Sequence, residues 1–289
     1  MNGSGARIGP SHPKVSGDAE GHILPGLFLV TLGLWWSTKS ILKYICKQQK
    51  RFSFLITPQF LSRAEILEGI AIIVVVLVAM TGQFYWIVNV KPSPHKEMQE
   101  DQIRNWQHVI IYVVLAMLGV IKILCFTISS LPVSLITLML SNSFFVEAFL
   151  IHNHPKSLMV VDSYVHQLVK FTALLAGLTA FIEFLLAKNN VVMELLRSSL
   201  TMLQGACLAQ IGFILYPKDM EHAWDLNDVN NTAILSIYFG VYYASTYVII
   251  GVNYVLVSWF IKWKLSKVYP SEIQFLKNYE QQEDSEDGM

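Results

Sequence analysis

Eight histidines and one carboxylate deep in an apolar run carry the most chemistry in this 289-residue sequence. His22, His108, His152, His154 and His166 stand at the ends of long apolar runs, whereas His12, His95 and His222 lie in the segments outside them. Glu147 precedes His154 by about two helical turns and shares its helix face. Three readings fit this pattern. Neutral imidazoles with a carboxylate form a zinc shell, and with a bound water they make a Lewis-acid hydrolytic centre. On that reading His22, His108, His154 and His166 are the candidate metal ligands and Glu147 the candidate base or ligand. Histidine also titrates near lumenal pH and so suits pH sensing. Third, interfacial imidazoles simply hydrogen-bond to loop carbonyls and lipid headgroups. There is no His-Glu-x-x-His motif, and Asn153 separates His152 from His154, which sends them to different helix faces.

A second polar set marks the opposite helix ends: Arg63, Glu65, Glu68, Glu183, Glu194 and Arg197. Charges inside a bilayer pair with one another, so these are expected to fix helix ends as ion pairs. The expected pairs are Arg63 with Glu183 or Glu194, and Arg197 with Glu65 or Glu68. Cys46, beside Lys43 and Lys47, is a candidate for palmitoylation or an unmodified thiol. Three cysteines give no disulfide framework. Asn2-Gly3-Ser4 and Asn230-Asn231-Thr232 are glycosylation sequons. No nucleophile elbow, Walker loop or kinase signature is present.

The elements that must position these groups follow from where the apolar residues sit. Hydrophobic residues are 53% of the chain and charged residues 15%, with 21 Lys+Arg balancing 21 Asp+Glu. That excludes a disordered chain, and the lack of basic excess excludes a nucleic-acid binder. The apolar residues come in seven runs: Ile23–Leu42, Ile66–Val90, Trp106–Ile128, Leu131–Ile151, Tyr164–Ala187, Ser198–Tyr216 and Thr232–Ile261. About 20 helical residues cross a bilayer, and a backbone in lipid must satisfy its own hydrogen bonds. The expected fold is therefore an all-α, polytopic seven-transmembrane-helix bundle. Ser129-Ser130-Leu131-Pro132 reads as a tight turn joining the third and fourth helices. With the N-terminus out and the C-terminus in, inner segments hold eleven Lys and Arg against seven outside, and both sequons face the lumen or exterior. All eight histidines then share the outer side. Residues 1–22, lacking the apolar core of a signal peptide, read as a flexible tail, 23–262 as the membrane domain and 263–289 as a polar, acidic tail.

Within the runs, small residues mark close helix contacts: Ala173, Ala176, Gly177 and Ala180 in the fifth, and Ser236, Gly240 and Ala244 in the seventh. The amides Gln204, Gln210 and Asn253 are expected to bond between helices. Trp35, Trp36, Trp86, Trp106, Trp259 and Trp263 suit interfacial belts.

Several motifs occur together: Gly21-His22-x-Leu24-Pro25-Gly26 with Gly33-x-x-Trp36-Ser37, Glu65-Ile66-x-Glu68, Asn105-Trp106-Gln107-His108, Glu147-x-Phe149-Leu150, and Asp162-x-x-x-His166. Further on come Glu194-Leu195-x-Arg197, Leu203-Gln204-Gly205, Gln210-Ile211-Gly212-Phe213, Trp224-Asp225 and Val252-Asn253-Tyr254. Over about residues 20–265 this combination resembles the transmembrane protein 45 family, including its transmembrane epididymal branch. The resemblance implies a seven-helix membrane protein whose molecular activity is not established. It also implies more histidine between helices 4 and 5 and in helix 7, where this chain has Lys156, Tyr164 and Tyr242.

The leading expectation is a multi-pass protein of endomembranes (Golgi or endolysosomal) or the plasma membrane, with the lipid bilayer as its partner. Its role would be binding, scaffolding or trafficking, without demonstrable catalysis. The alternative is a zinc-type intramembrane hydrolase acting on lipid at the outer leaflet, and a third reading is a receptor or transporter.

Overall fold

A computed structural model of the protein describes residues 19–48, 58–89, 96–154, 159–186, 190–217 and 223–268. Residues 1–18 and 269–289 of the expected tails, with His12, His95, Lys156, His222 and Asn2, fall outside these residues, while 20–22 and 263–268 belong to the first and last helices. The described residues form seven helices and no strand: α1 (Glu20–Gln48), α2 (Pro58–Asn89), α3 (Lys96–Thr127), α4 (Ser134–His152), α5 (Val160–Leu186), α6 (Val191–Leu215) and α7 (Asn230–Val268). Each apolar run seeds one of them, and most extend beyond the run by a turn or more of polar residues. The α3–α4 turn lies where expected, with Leu131 N–H bonding to Ile128 O at 3.1 Å, but α4 starts at Ser134. Pro132 has no N–H to give the helix, and its carbonyl instead accepts from Leu135 N–H.

Six of these helices are long and apolar enough to cross a membrane: Gln59–Tyr85, Gln102–Thr127, Ser134–His152, Val160–Leu186, Val191–Leu215 and Asn230–Lys264. The protein is thus a polytopic helical membrane protein. α1 is not among the six; its second half carries Lys39, Lys43 and Lys47.

α6 is the hub. It packs against α1, α5 and α7, while α2, α3, α4 and α5 follow one another around it. The largest contact is α1 against α6, antiparallel, and glycines make it. A Cβ on Gly205 would lie 2.5 Å from the Gly26 carbonyl, and one on Gly26 would lie 2.6 Å from the Ala209 nitrogen. Further along, Gly33 meets Ser198 and Met202, and Gly212 meets Ala19 and Ile23. In lipid no hydrophobic force gathers helices, so such close backbone approach supplies the dispersion that does. Gly69 and Gly119 repeat the device between α2 and α3.

The small residues of α5 behave as expected: Ala173, Ala176 and Ala180 are fully buried and Gly177 abuts Phe144 and Phe145. Those of α7 do not. Gly240 is exposed with nothing near its missing Cβ, and Ser236 bonds to Tyr164 at 2.6 Å. α7 instead docks on α1 through Asn253, whose amide donates to Ser37 (2.7 Å) and Thr38 (3.0 Å).

Candidate functional site

The four histidines proposed as ligands come from four helices or helix ends and meet in one layer. His22 opens α1, His108 lies early in α3, His154 follows the end of α4, and His166 stands in the second turn of α5. Their rings form a closed quadrilateral. Centroid separations are 6.5 Å for His22–His108, 5.4 Å for His108–His154, 6.1 Å for His154–His166 and 6.1 Å for His166–His22. His152 points elsewhere, toward Lys170 at 3.5 Å, as the intervening Asn153 requires.

Neighbours orient the rings. His166 Nδ1 lies 2.9 Å from the Asp162 carboxylate and 2.9 Å from that residue's own carbonyl. His154 Nδ1 is paired with the side-chain oxygen of Gln107, whose amide also donates to Asn153 O at 3.0 Å. Tyr216 stacks on His22 with centroids 5.7 Å apart. His108 Nδ1 is buried with no hydrogen-bond partner, and so is Gln83 Oε1 nearby in the same lining. His154, beyond the α4 span, is held down to about 4 by burial and then by His166, Arg104 and His22, with Asp162 acting the other way. Its ring is therefore neutral at physiological pH. Among the described residues, no three His, Cys, Asp or Glu side chains already stand in the tight arrangement that holds a metal ion.

The four rings cap a cavity of about 620 Å³ that continues between the helices to Trp36 and Leu140. Its lining is mostly apolar. Glu147 lines it below His154, as the shared helix face requires, and accepts a hydrogen bond from Gln204 of α6 at 2.8 Å. Leu24 of α1 and Val74 and Val78 of α2 line it too, yet are more than half exposed on the outside of the bundle. The cavity therefore opens sideways between α1 and α2, which are not among the closely packed pairs. A second hollow of about 650 Å³ follows the same seam past Thr31, Trp35 and Arg63.

At the other end of the bundle the polar set is arranged differently from expectation. Glu65 and Glu68 are bound by lysines that lie within the apolar runs. Lys39 contacts Glu65 at 2.8 Å and also Glu68, while Lys122 contacts Glu65 at 2.6 Å and Glu68 at 2.9 Å. All four residues are buried. Trp35 and Trp36 donate their indole N–H groups to Glu68 at 2.8 and 2.7 Å, so these two are not belt residues. Arg197 pairs with Glu183 at 2.8 Å rather than with Glu65 or Glu68, and its guanidinium covers the Trp36 ring at 4.9 Å. Glu194 accepts from Ser40 at 2.5 Å, and Arg63 is exposed in the seam hollow. Two cations and two anions in mutual contact cancel within the membrane-embedded part of the fold, which removes most of the cost of burying either alone. Cys46, Cys125 and Cys207 are free and buried, and Asn230 is exposed as the first residue of α7.

Fold and site define a polytopic helical membrane protein with a laterally open, histidine-capped cavity. The model of a protein family of unknown function, DUF716, matches residues 133–255, which run from the start of α4 into α7. Those residues include Glu147, His154 and His166. The chain is also similar to transmembrane epididymal protein 1 of Rattus norvegicus, 24% identical over 237 residues that cover 77% of this chain and 75% of the relative. The matched proteins point to a multi-pass membrane protein whose molecular activity is not established.

Proposed function

We propose that this protein belongs to that family of unknown function and binds an amphipathic lipid within the membrane. The acyl part would fill the apolar cavity and the polar end would meet the four histidines. The observation that carries this reading is the cavity itself: about 620 Å³, apolar along most of its wall, histidine-lined at one end and open to the bilayer between α1 and α2. Pockets of this size suit a single small amphiphile. A transport reading would want a polar path through mid-membrane, and this wall is largely hydrocarbon.

On this reading α1 is the seventh span. It lies antiparallel along all of α6, from Ala19 against Gly212 to Ser40 against Glu194, and its Lys39 is neutralised by Glu65 and Glu68. The N-terminus faces the lumen or exterior, following the loop-charge bias, in an endomembrane or the plasma membrane. A C-terminal epitope should then be reached by antibody only after permeabilisation; labelling of intact cells would reverse the orientation.

The lipid reading is tested with a photoactivatable fatty acid incubated with purified full-length protein. Gly82 lines the cavity and has open space where a side chain would go. Gly82→Phe should fill the cavity and cut specific labelling at least several-fold without unfolding the protein. Unchanged labelling would refute the proposal.

A further inference from the structure

We propose that the polar end of the cavity is a divalent transition-metal site of the zinc class, ligated by His22, His108, His154 and His166. This rests on the cavity reading above and names what its histidine end holds. Imidazole nitrogens bind zinc at about 2.1 Å, which places ring centres about 3.2 Å from the ion and about 5 Å from one another in a tetrahedron. The four adjacent ring pairs stand 5.4 to 6.5 Å apart, wider than that by about 0.4 to 1.5 Å. The four rings thus surround one centre in an arrangement more open than a bound shell, and side-chain rotations that bring them inward would complete it.

Two further features distinguish this arrangement from a chance gathering of interfacial imidazoles. The first is the outer support. In metal sites a ligating histidine hands its second ring N–H to a carboxylate or carbonyl, which fixes the tautomer and aims the other nitrogen at the ion. Asp162 does this to His166 and Gln107 to His154, each through Nδ1. Both rings then offer Nε2 as the lone-pair donor. The second feature is the buried Nδ1 of His108, which no protein group satisfies. A buried imidazole nitrogen without a partner costs free energy unless something outside the chain occupies it. Four nitrogen donors with no thiolate suit zinc, and the softer copper(I) less well.

The experiment uses full-length protein purified through a histidine-free affinity tag, loaded with Zn²⁺, washed and analysed for metal. About one equivalent is expected in the wild type and in His152→Ala, and loss in His108→Ala and His166→Ala. Asp162→Asn, which keeps every proposed ligand, should weaken Zn²⁺ binding by about 10–100-fold, with thermal melting as the check that the protein stays folded. Co²⁺ in place of Zn²⁺ should give the intense visible bands of a four-coordinate site. Wild type at blank levels, equal retention by His108→Ala, or only the weak spectrum of six-coordinate Co²⁺ would overturn the proposal. Gly82→Phe separates the two ideas. Protein that holds Zn²⁺ but captures no lipid in any form removes the lipid reading alone, and lipid capture without Zn²⁺ removes the metal alone.

Discussion

Replacing Gly205 by alanine adds one methyl group at the tightest point of the α1–α6 seam. That Cβ would stand 2.5 Å from the Gly26 carbonyl oxygen, 2.7 Å from the Val30 nitrogen and 2.9 Å from the Leu29 Cβ. Ordinary contact begins at 3.4 Å, so the two backbones must part by roughly 0.9 Å. Two of the three obstructing atoms are main chain, and no rotamer change relieves them. A gap of that width forfeits a quarter to a half of the dispersion energy along the parted surfaces. Overpacking of this kind costs about 1–3 kcal/mol. For a chain of this size that corresponds to a fall in Tm of about 2–12 °C. Gly82→Ala is the internal control, because nothing lies within 4 Å of its added carbon. The buried thiols of Cys46, Cys125 and Cys207 make the assay direct: a thiol-reactive dye in detergent reports their exposure as the protein is heated. If Gly205→Ala melts with Gly82→Ala, the close-packed seam does not hold the bundle together.

Lys122→Met leaves Glu65 and Glu68 with Lys39 as their one buried cation, Lys43 reaching Glu65 only from the half-exposed side at 3.8 Å, and should destabilise the protein by about 3–5 kcal/mol. Adding Glu65→Gln should restore much of the loss, and a double-mutant cycle that shows no coupling would refute the four-charge cluster. Gln204→Leu strips the donor from the buried Glu147 and should cost about 1–3 kcal/mol in the same melting assay. Asn253→Leu removes the amide bonds to Ser37 and Thr38 of α1 and should cost about 0.6–1.7 kcal/mol, with no change in lipid labelling or Zn²⁺ content.

The membrane helices could be read from the sequence because lipid demands an unbroken apolar run, and α2 to α7 grow from such runs. The histidine layer was legible for a related reason. Chain direction alternates from helix to helix, so His22, His108, His154 and His166 fall at one end once the spans are drawn, and only the lateral arrangement was left to the fold. The neutral partners were not legible. Gln107 reaches His154 across a separation of 47 residues, and nothing in its neighbourhood marks it for that role. Asp162 lies before the apolar run that begins at Tyr164, yet α5 begins at Val160 and puts the carboxylate one turn before His166. The charge cluster was misassigned for a different reason. Loop charges were weighed as the only partners for Glu65 and Glu68, while Lys39 and Lys122 sit inside runs where a cation is least expected. Their solvent is supplied by three helices at once, a circumstance no single stretch of sequence displays. The α7 stripe misled because small residues permit close approach without naming the neighbour.

The seam between α1 and α6 sets an order on biosynthesis. Gly26 and Gly33 leave the ribosome about 170 residues before Gly205 and Met202 arrive to cover them. At about 5–20 residues per second, the first helix waits roughly 10–30 s for its main partner. Its lysine at position 39 meets Glu65 and Glu68 within the first few seconds of that interval. The first helix therefore meets its charge partners well before its glycine partners, and the seventh helix, whose Asn253 docks on Ser37 and Thr38, arrives last of all.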